Sequence, residues 1–183
     1  MARVAFTNEK EATGKELEAY LELKNQGKLT NMKEALLQDY ATYDAFMGWY
    51  TSWNRLVEII GQRAAIVCAH SVSSTNGCLL CSLFFVSDLA EIGIDPSNFE
   101  PTEKALLKSL AEQIVKNPTK VSDETFTELK KYYTDKEIVV IVGFACQMMA
   151  TNNFNSVLQI DVDQRLIPIQ DKFEPATWRD AIK

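Results

Sequence analysis

The chain has 183 residues, 46% of them hydrophobic, which is enough to bury one sizeable core. Its formal net charge of −6 argues against binding to nucleic acid or to an anionic membrane surface. One histidine is present, so multi-histidine metal sites are excluded, and we predict neither a metal nor another cofactor. We expect a single domain over residues 1–183.

Two features of the sequence bear on cellular location. The N-terminal stretch becomes polar too soon to form a signal peptide. The longest apolar run, residues 138–150, is well short of the ~20 residues that a membrane span needs. We therefore expect a cytoplasmic protein that does not enter the membrane, with four cysteines that are mostly reduced and any disulfide transient.

The first third of the chain predicts two helices. Thr13 followed by Glu16 has the form of a capping box and should open the first helix. The second should cover residues 31–61, with a weak point at residues 48–52. Its aromatic residues are typical of a core or a subunit interface, and more rarely of a ligand-binding box: Phe46, Trp49, Tyr50 and Trp53.

The middle of the chain predicts two helices that are apolar on nearly all sides and should be central in the fold. The first runs from Gln62 to Thr75 and is stopped by Asn76 and Gly77. The second covers residues 78–92 and begins with Cys78-Leu79-Leu80-Cys81.

The last part of the chain predicts three more helices and an irregular tail. Residues 101–116 form the first, Ser122 caps a short second helix, and a capping box at Thr134 precedes a long buried helix at residues 138–160. Residues 161–183 predict a tail whose apolar side chains need burial, for instance on a neighbouring subunit. The predicted fold class is all-α.

Cys78 and Cys81 carry the chemistry that we predict. Residues three apart on a helix share a face, and the free N–H groups of a first turn favour the thiolate of Cys78 over its thiol. A thiolate beside a second thiol can attack an oxidant and then be resolved as a disulfide. The competing interpretation is a pair of buried, inert cysteines.

The remaining cysteines give no further site. Cys68 and Cys146 stand singly in apolar segments and are interpreted as packing residues. A zinc site made of four cysteines would require two close pairs, and the sequence has one.

The order of these segments resembles the carboxymuconolactone decarboxylase / alkylhydroperoxidase D-like family, over roughly residues 30–170. The resemblance rests on the aromatic-rich helix leading to Arg63, the turn and helix of residues 76–81, the Gly93 stop, residues 101–103, and the closing helix at residues 151–158. It implies an all-α, antiparallel helical core in which the CxxC motif starts a central helix. It also implies a homo-oligomer, such as a trimer or a hexamer.

One part of the family pattern is missing. The peroxidase members carry a glutamate upstream of the first cysteine, often a histidine between the two cysteines, and a histidine one turn after the second. The corresponding positions here are Ile66, Leu80 and Phe85, so the proton relay of that family is predicted to be absent. His70, one turn after Ile66, could replace the glutamate as a base toward a cysteine, although a hydrogen-bonded structural histidine is the commoner role.

Together these observations predict thiol-dependent reduction of hydroperoxides through a Cys78–Cys81 disulfide, at a slow rate because the relay is absent. The implied partners are a hydroperoxide, a dithiol reductant and further copies of the chain. The helix-end argument favours Cys78 as the attacking thiol, whereas the resemblance favours Cys81, with Cys78 resolving. The alternative is a non-enzymatic oligomer or a redox-sensing protein of the same fold.

Overall fold

The structure is a computed structural model that describes residues 1–93 and 103–170. Within these ranges the regular structure is helical and contains no strand, which confirms the all-α prediction. The α-helices are α1 (Gly14–Asn25), α2 (Asn31–Leu36), α3 (Tyr40–Met47), α4 (Trp49–Ile60), α5 (Gln62–Thr75), α6 (Leu79–Glu91), α7 (Glu103–Lys116), α8 (Asp123–Leu129) and α9 (Asp135–Leu158). Short 3-10 helices cover Pro118–Lys120 and Gln164–Ile169.

Two details near the N-terminus differ from the prediction. The helix predicted over residues 31–61 is three helices, because Asp39 caps α3 by accepting a hydrogen bond from the Thr42 amide at 2.8 Å. The second break, at Gly48, falls on the predicted weak point. The capping box at Thr13 is also wrong, since its side chain makes no capping hydrogen bond, although α1 begins immediately after it.

Two other predictions fall outside the described residues. These are the start of the α7 helix at Pro101 and the part of the tail from residue 171 onward, including Trp178. The described part of the tail is a 3-10 helix whose Leu166 is buried against the main core.

Helix α5 lies at the centre of the packing and contacts α4, α6, α7 and α9. Three small side chains on it, Ala64, Ala65 and Ala69, are 4%, 0% and 0% exposed, which lets neighbouring helices approach its backbone closely. Helix α6 packs along α5 as the second half of a helical hairpin and buries most of its own residues. The prediction that these two helices are central in the fold is confirmed.

Helix α9 packs against α4 and α5 on another side of the core. Its predicted capping box is present: the Thr134 amide donates to Glu137 Oε2 at 2.8 Å, and the Thr134 hydroxyl accepts from the Glu137 amide. Among the described helices it is the one long and apolar enough to span a membrane. Because it packs on two helices and buries Asn152 and Asn155, we interpret it as a core helix.

The predicted aromatic cluster of α3 and α4 packs onto α9. The Trp49 and Trp53 rings stack with centroids 5.2 Å apart, and both lie against Phe144, at 5.6 and 5.7 Å. Phe46 contacts Phe154 at 5.2 Å. Offset and tilted aromatic contacts of this kind add to the stability gained by burial.

The junction between α5 and α6 is a tight helix stop. Gly77 has φ +70°, and its amide donates to Ser74 O at 3.1 Å while the Cys78 amide donates to Ser73 O at 2.9 Å. This pair of bonds is the Schellman motif, which requires a residue that tolerates the left-handed conformation. Cys78 therefore both closes α5 and caps α6.

Replacing Gly77 by alanine should destabilise the protein by about 1 kcal/mol, because a left-handed backbone brings a Cβ too close to the following carbonyl. Gly14→Ala is the matched control, since Gly14 also has positive φ but lies at the start of α1. Chemical denaturation should give a similar loss for both variants. Only Gly77→Ala should also alter the reactivity of Cys81, and equal thiol reactivity in the two variants would contradict the coupling.

Candidate functional site

The two cysteines of the CxxC motif lie together at the start of α6. Cys78 is the residue before the first turn and Cys81 belongs to that turn. Their thiols are side-chain hydrogen-bond partners of each other. Cys78 is 0% exposed and Cys81 is 6% exposed, so Cys81 is the thiol that a small molecule can reach.

The shared hydrogen bond gives the two thiols opposite acidities. It lowers the pKa of Cys78 most, against the effect of burial, and the Cys81 amide, Ser156 and Asn152 lower it further. The same bond raises the pKa of Cys81 well above its usual value, and burial raises it again. At rest Cys78 therefore holds the negative charge more readily, while Cys81 holds the proton.

Asparagines from α9 provide the other polar contacts around the cysteines. Asn155 donates from Nδ2 to Cys81 Sγ at 3.2 Å and also to Met32 Sδ at 3.3 Å. Asn152 donates to Ser73 Oγ at 3.1 Å, which ties α9 to the end of α5. The Oδ1 atoms of both asparagines are buried without a hydrogen-bond partner.

No chemical role is predicted from the sequence for Asn152 and Asn155, which belong to the closing-helix pattern of the resemblance. A further signal was present, because residues 152, 155 and 156 are polar, lie on one face of an otherwise apolar helix, and would need partners when buried.

A half-open cavity of about 790 Å³ gives access to Cys81. Asn155 and Thr151 of α9 also line it, whereas Cys78 does not. The larger apolar side chains of its wall include Met32, Trp49, Trp53, Phe84, Phe85 and Met148. The aromatic residues thus serve both the core, as predicted, and the wall of this cavity.

The positions predicted for the missing relay face the same cavity. Ile66, Leu80 and Phe85 all line it, and each is at most 5% exposed. The surroundings of Cys81 are thus apolar where the peroxidase members of the resembled family carry ionisable groups. The polar groups that do contact the cysteines are amides, a hydroxyl and the other thiol.

His70 lies on α5, and its described electrostatic neighbour is Lys108 of α7. Burial, and then the charge of Lys108, lower the pKa of His70 to about 4, so it is neutral at physiological pH and able to accept a proton. It is absent from the lining of the Cys81 cavity and from the groups that shift the pKa of either thiol. Its role as a base remains a prediction.

The other two cysteines are separate from this site. Cys68 is buried in α5, and burial raises its pKa to about 12, which keeps it as an inert thiol. Cys146 is exposed on α9, so the prediction that it is a packing residue within its own chain is wrong. In the described residues no group of three or more histidine, cysteine, aspartate or glutamate side chains could hold a metal ion.

Two solved structures share this arrangement of helices. An uncharacterized peroxidase-related protein from Silicibacter sp. TM1040 superposes with a TM-score of 0.72 at 16% sequence identity, over 90% of this chain and 93% of that one. An alkylhydroperoxidase AhpD core, an uncharacterized peroxidase-related protein from Ralstonia eutropha JMP134, superposes with a TM-score of 0.67 at 14% identity, over 92% of this chain and 96% of that one. The fold is alkylhydroperoxidase D-like. No family model and no curated protein matches the sequence.

Removing the Asn155 amide should slow alkylation of Cys81, because Nδ2 stabilises negative charge on its sulfur. We expect Asn155→Ala to react with iodoacetamide about tenfold more slowly, which is the effect of losing about 1.4 kcal/mol. A Cys146→Ser background removes the exposed thiol, and fragmentation of the alkylated peptide by mass spectrometry distinguishes Cys81 from Cys78. The control is Asn25→Ala, since Asn25 is an exposed asparagine at the end of α1 and is not among the residues that line the cavity. Equal rates in the two variants would contradict this role.

Proposed function

We propose that the protein reduces hydroperoxides, with Cys81 as the attacking thiol and Cys78 as the resolving thiol. The observation that supports the proposal is that the two sulfurs differ in their access to the cavity and in their acidity. Cys81 lines the cavity, and its hydrogen-bond partner Cys78 is the more acidic thiol but is fully buried. Both neighbouring structures are called peroxidase-related, which is consistent with this chemistry.

The reaction begins with a proton transfer within the pair. In the form of the pair in which Cys78 is ionised, the proton of Cys81 moves along the shared hydrogen bond to Cys78, leaving Cys81 as the nucleophile. Its sulfur attacks the terminal oxygen of the hydroperoxide, an S–O bond forms, and the O–O bond breaks. The departing alkoxide takes the proton from Cys78 and leaves as an alcohol.

The second half of the reaction forms the disulfide. Cys78, again a thiolate, attacks the sulfenic sulfur of Cys81 and releases hydroxide, which solvent protonates to water. A dithiol reductant then returns both cysteines to thiols and is itself oxidised to a disulfide. We place the protein in the cytoplasm, because such a cycle requires a compartment that keeps thiols reduced.

Asn155 positions both reactants in this scheme. Its Nδ2 donates to Cys81 Sγ, and its Oδ1, buried and without a partner at the cavity wall, can accept the O–H of the hydroperoxide. A single side chain would then hold the terminal oxygen beside the sulfur. The buried Cys78 thiolate acts as the base, which is the function of the relay in the resembled family.

The competing proposal is a redox sensor that oxidises once without turnover. The apolar side chains at Ile66, Leu80 and Phe85 favour it, since they supply no external base to speed repeated cycles. The two proposals differ in whether a dithiol donor supports continuous peroxide consumption.

Cysteine variants test the peroxidase proposal. After treatment with cumene hydroperoxide, mass spectrometry of the wild type should show a two-hydrogen loss on the peptide holding Cys78 and Cys81. Cys78→Ser should instead accumulate a sulfenic acid at Cys81, trapped by dimedone, and form it about 100-fold more slowly because its base is lost. Cys81→Ser should consume no peroxide with dithiothreitol as donor.

Three outcomes would change the assignment. Dimedone labelling of Cys78 in Cys81→Ser, at the wild-type rate, would reverse the two roles. A loss of turnover in His70→Ala, with the fold and the Cys78 acidity unchanged, would make His70 the base. A disulfide that forms in the wild type without continuous peroxide consumption would favour the redox sensor.

We also propose that the protein is a homo-oligomer, with α9 at an interface between copies. Val139 and Val157 are 69% and 62% exposed at the two ends of the helix. Exposed residues between them recur at the spacing of a helix–helix seam and are mostly small: Gly143, Cys146, Ala150 and Asn153. Large valines stand at both ends of this row of exposed residues and mostly small residues stand between them. This arrangement suits a two-fold contact in which α9 packs against the antiparallel α9 of a second copy.

Light scattering should therefore give a mass well above the 20.7 kDa of one chain at micromolar concentration. Val157→Lys should lower the mass, because a charge would be buried in an apolar seam. Ile92→Lys is the control, as Ile92 is also an exposed β-branched residue but lies at the end of α6. A wild-type mass of one chain would exclude the oligomer, and equal masses in the two variants would exclude this interface.

A further inference from the structure

A buried lysine lies in the wall of the Cys81 cavity. Lys33 of α2 is 5% exposed, and its ammonium donates to Lys28 O at 2.9 Å and lies 5.3 Å from the centroid of the Tyr50 ring. Lys33 interacts electrostatically with Asp163, yet none of the ion pairs within the described residues includes Lys33. An ammonium carries three donors, so one oxygen and one ring leave its bonding capacity incomplete.

A second unmet donor lines the same cavity. The indole Nε1 of Trp49 is buried and has no hydrogen-bond partner, which is unusual because buried tryptophan N–H groups normally find an acceptor. Both donors lie near the Tyr50 ring, with Trp49 packed in a T-shaped contact with it at 5.1 Å and the Lys33 ammonium 5.3 Å from its centroid. The donors therefore border one region of the cavity.

Most of the remaining wall of the cavity is apolar and aromatic, and Cys81 with Asn155 forms a separate polar point. Further charged side chains also line it: Lys28, Arg165, Asp88, Glu91 and Asp163. The volume of about 790 Å³ lies in the range typical of sites for organic ligands, and it is far larger than hydrogen peroxide requires. An occupant that satisfies the two donors, the apolar wall and the Cys81 end has an oxygen-rich anionic end, an apolar body and a reactive polar group.

We infer that the preferred substrate is an organic hydroperoxide that carries a carboxylate. Lys33 and Trp49 bind the carboxylate, the aromatic wall holds the hydrocarbon, and the hydroperoxide group reaches Cys81. This inference rests on the proposed function for the reacting group, but the carboxylate site depends only on the donors. Binding of an unreactive carboxylate can therefore be tested separately from turnover.

The test uses hydroxydecanoic acid, which replaces the hydroperoxide by a hydroxyl group, and its methyl ester, which removes the charge. Calorimetric titration into the full-length Cys81→Ser protein should show the acid binding at least about tenfold more tightly than the ester, as expected for charge-assisted hydrogen bonds. Lys33→Met keeps the length of the side chain and should abolish this preference. Trp49→Phe should reduce it while keeping an aromatic wall.

Lys28→Met is the matched control. Lys28 lies at the same cavity but is exposed, so its charge is screened by solvent and its loss should change the preference by less than about threefold. The backbone oxygen that accepts from Lys33 is unchanged in this variant. A preference that vanishes equally in Lys28→Met and Lys33→Met would point to general electrostatic attraction and overturn the inference.

Two further results separate this inference from the proposed function. Equal affinity of the wild type for acid and ester, or an unchanged preference in both Lys33→Met and Trp49→Phe, would overturn the carboxylate site even if peroxidase turnover is observed. A clear preference in a protein without peroxide turnover would support the carboxylate site and reject the hydroperoxide chemistry. Thermal melting of Lys33→Met would establish that it is folded, and Trp49→Phe provides the test if it is not.

Discussion

The hydrogen bond between the two sulfurs is the interaction on which the site depends. An isolated thiolate in an apolar core is unfavourable, because burial disfavors the charged form. Here Cys81 donates to Cys78, and its own sulfur receives the Asn155 amide, so negative charge on either atom is accommodated. The charge can then remain inside the pair without an ionisable base beside it.

That interaction in turn requires three helices to meet. The cysteines come from the start of α6, whose entry is fixed by the end of α5, and the asparagines come from α9. The bond from Asn152 to Ser73 joins α9 to the same end of α5 that the Cys78 amide closes. Because cores are close-packed, these polar contacts hold only while the surrounding apolar side chains fix the distance between the helices.

The central helices and the cysteine motif could be predicted because their signals are local. Helix α5 has the predicted bounds, and the Thr134 capping box forms as expected, since both follow from residues within a turn of one another. The roles of Asn155 and Lys33 could not be predicted in this way. A helix sequence shows which residues share a face but not which neighbour that face meets, and the burial of Lys33 is a property of the packed structure.

The sharing of Cys78 between two helices constrains how this protein can vary over evolution. With no spare residue between the stop of α5 and the cap of α6, the phase of one helix is set directly by the other. An α-helix turns about 100° per residue, so a single insertion between Asn76 and Cys78 would rotate Cys81 away from the cavity and from Asn155. Insertions and deletions are therefore expected in the loops around α1 to α3, while the number of residues from Ser73 to Cys81 stays constant.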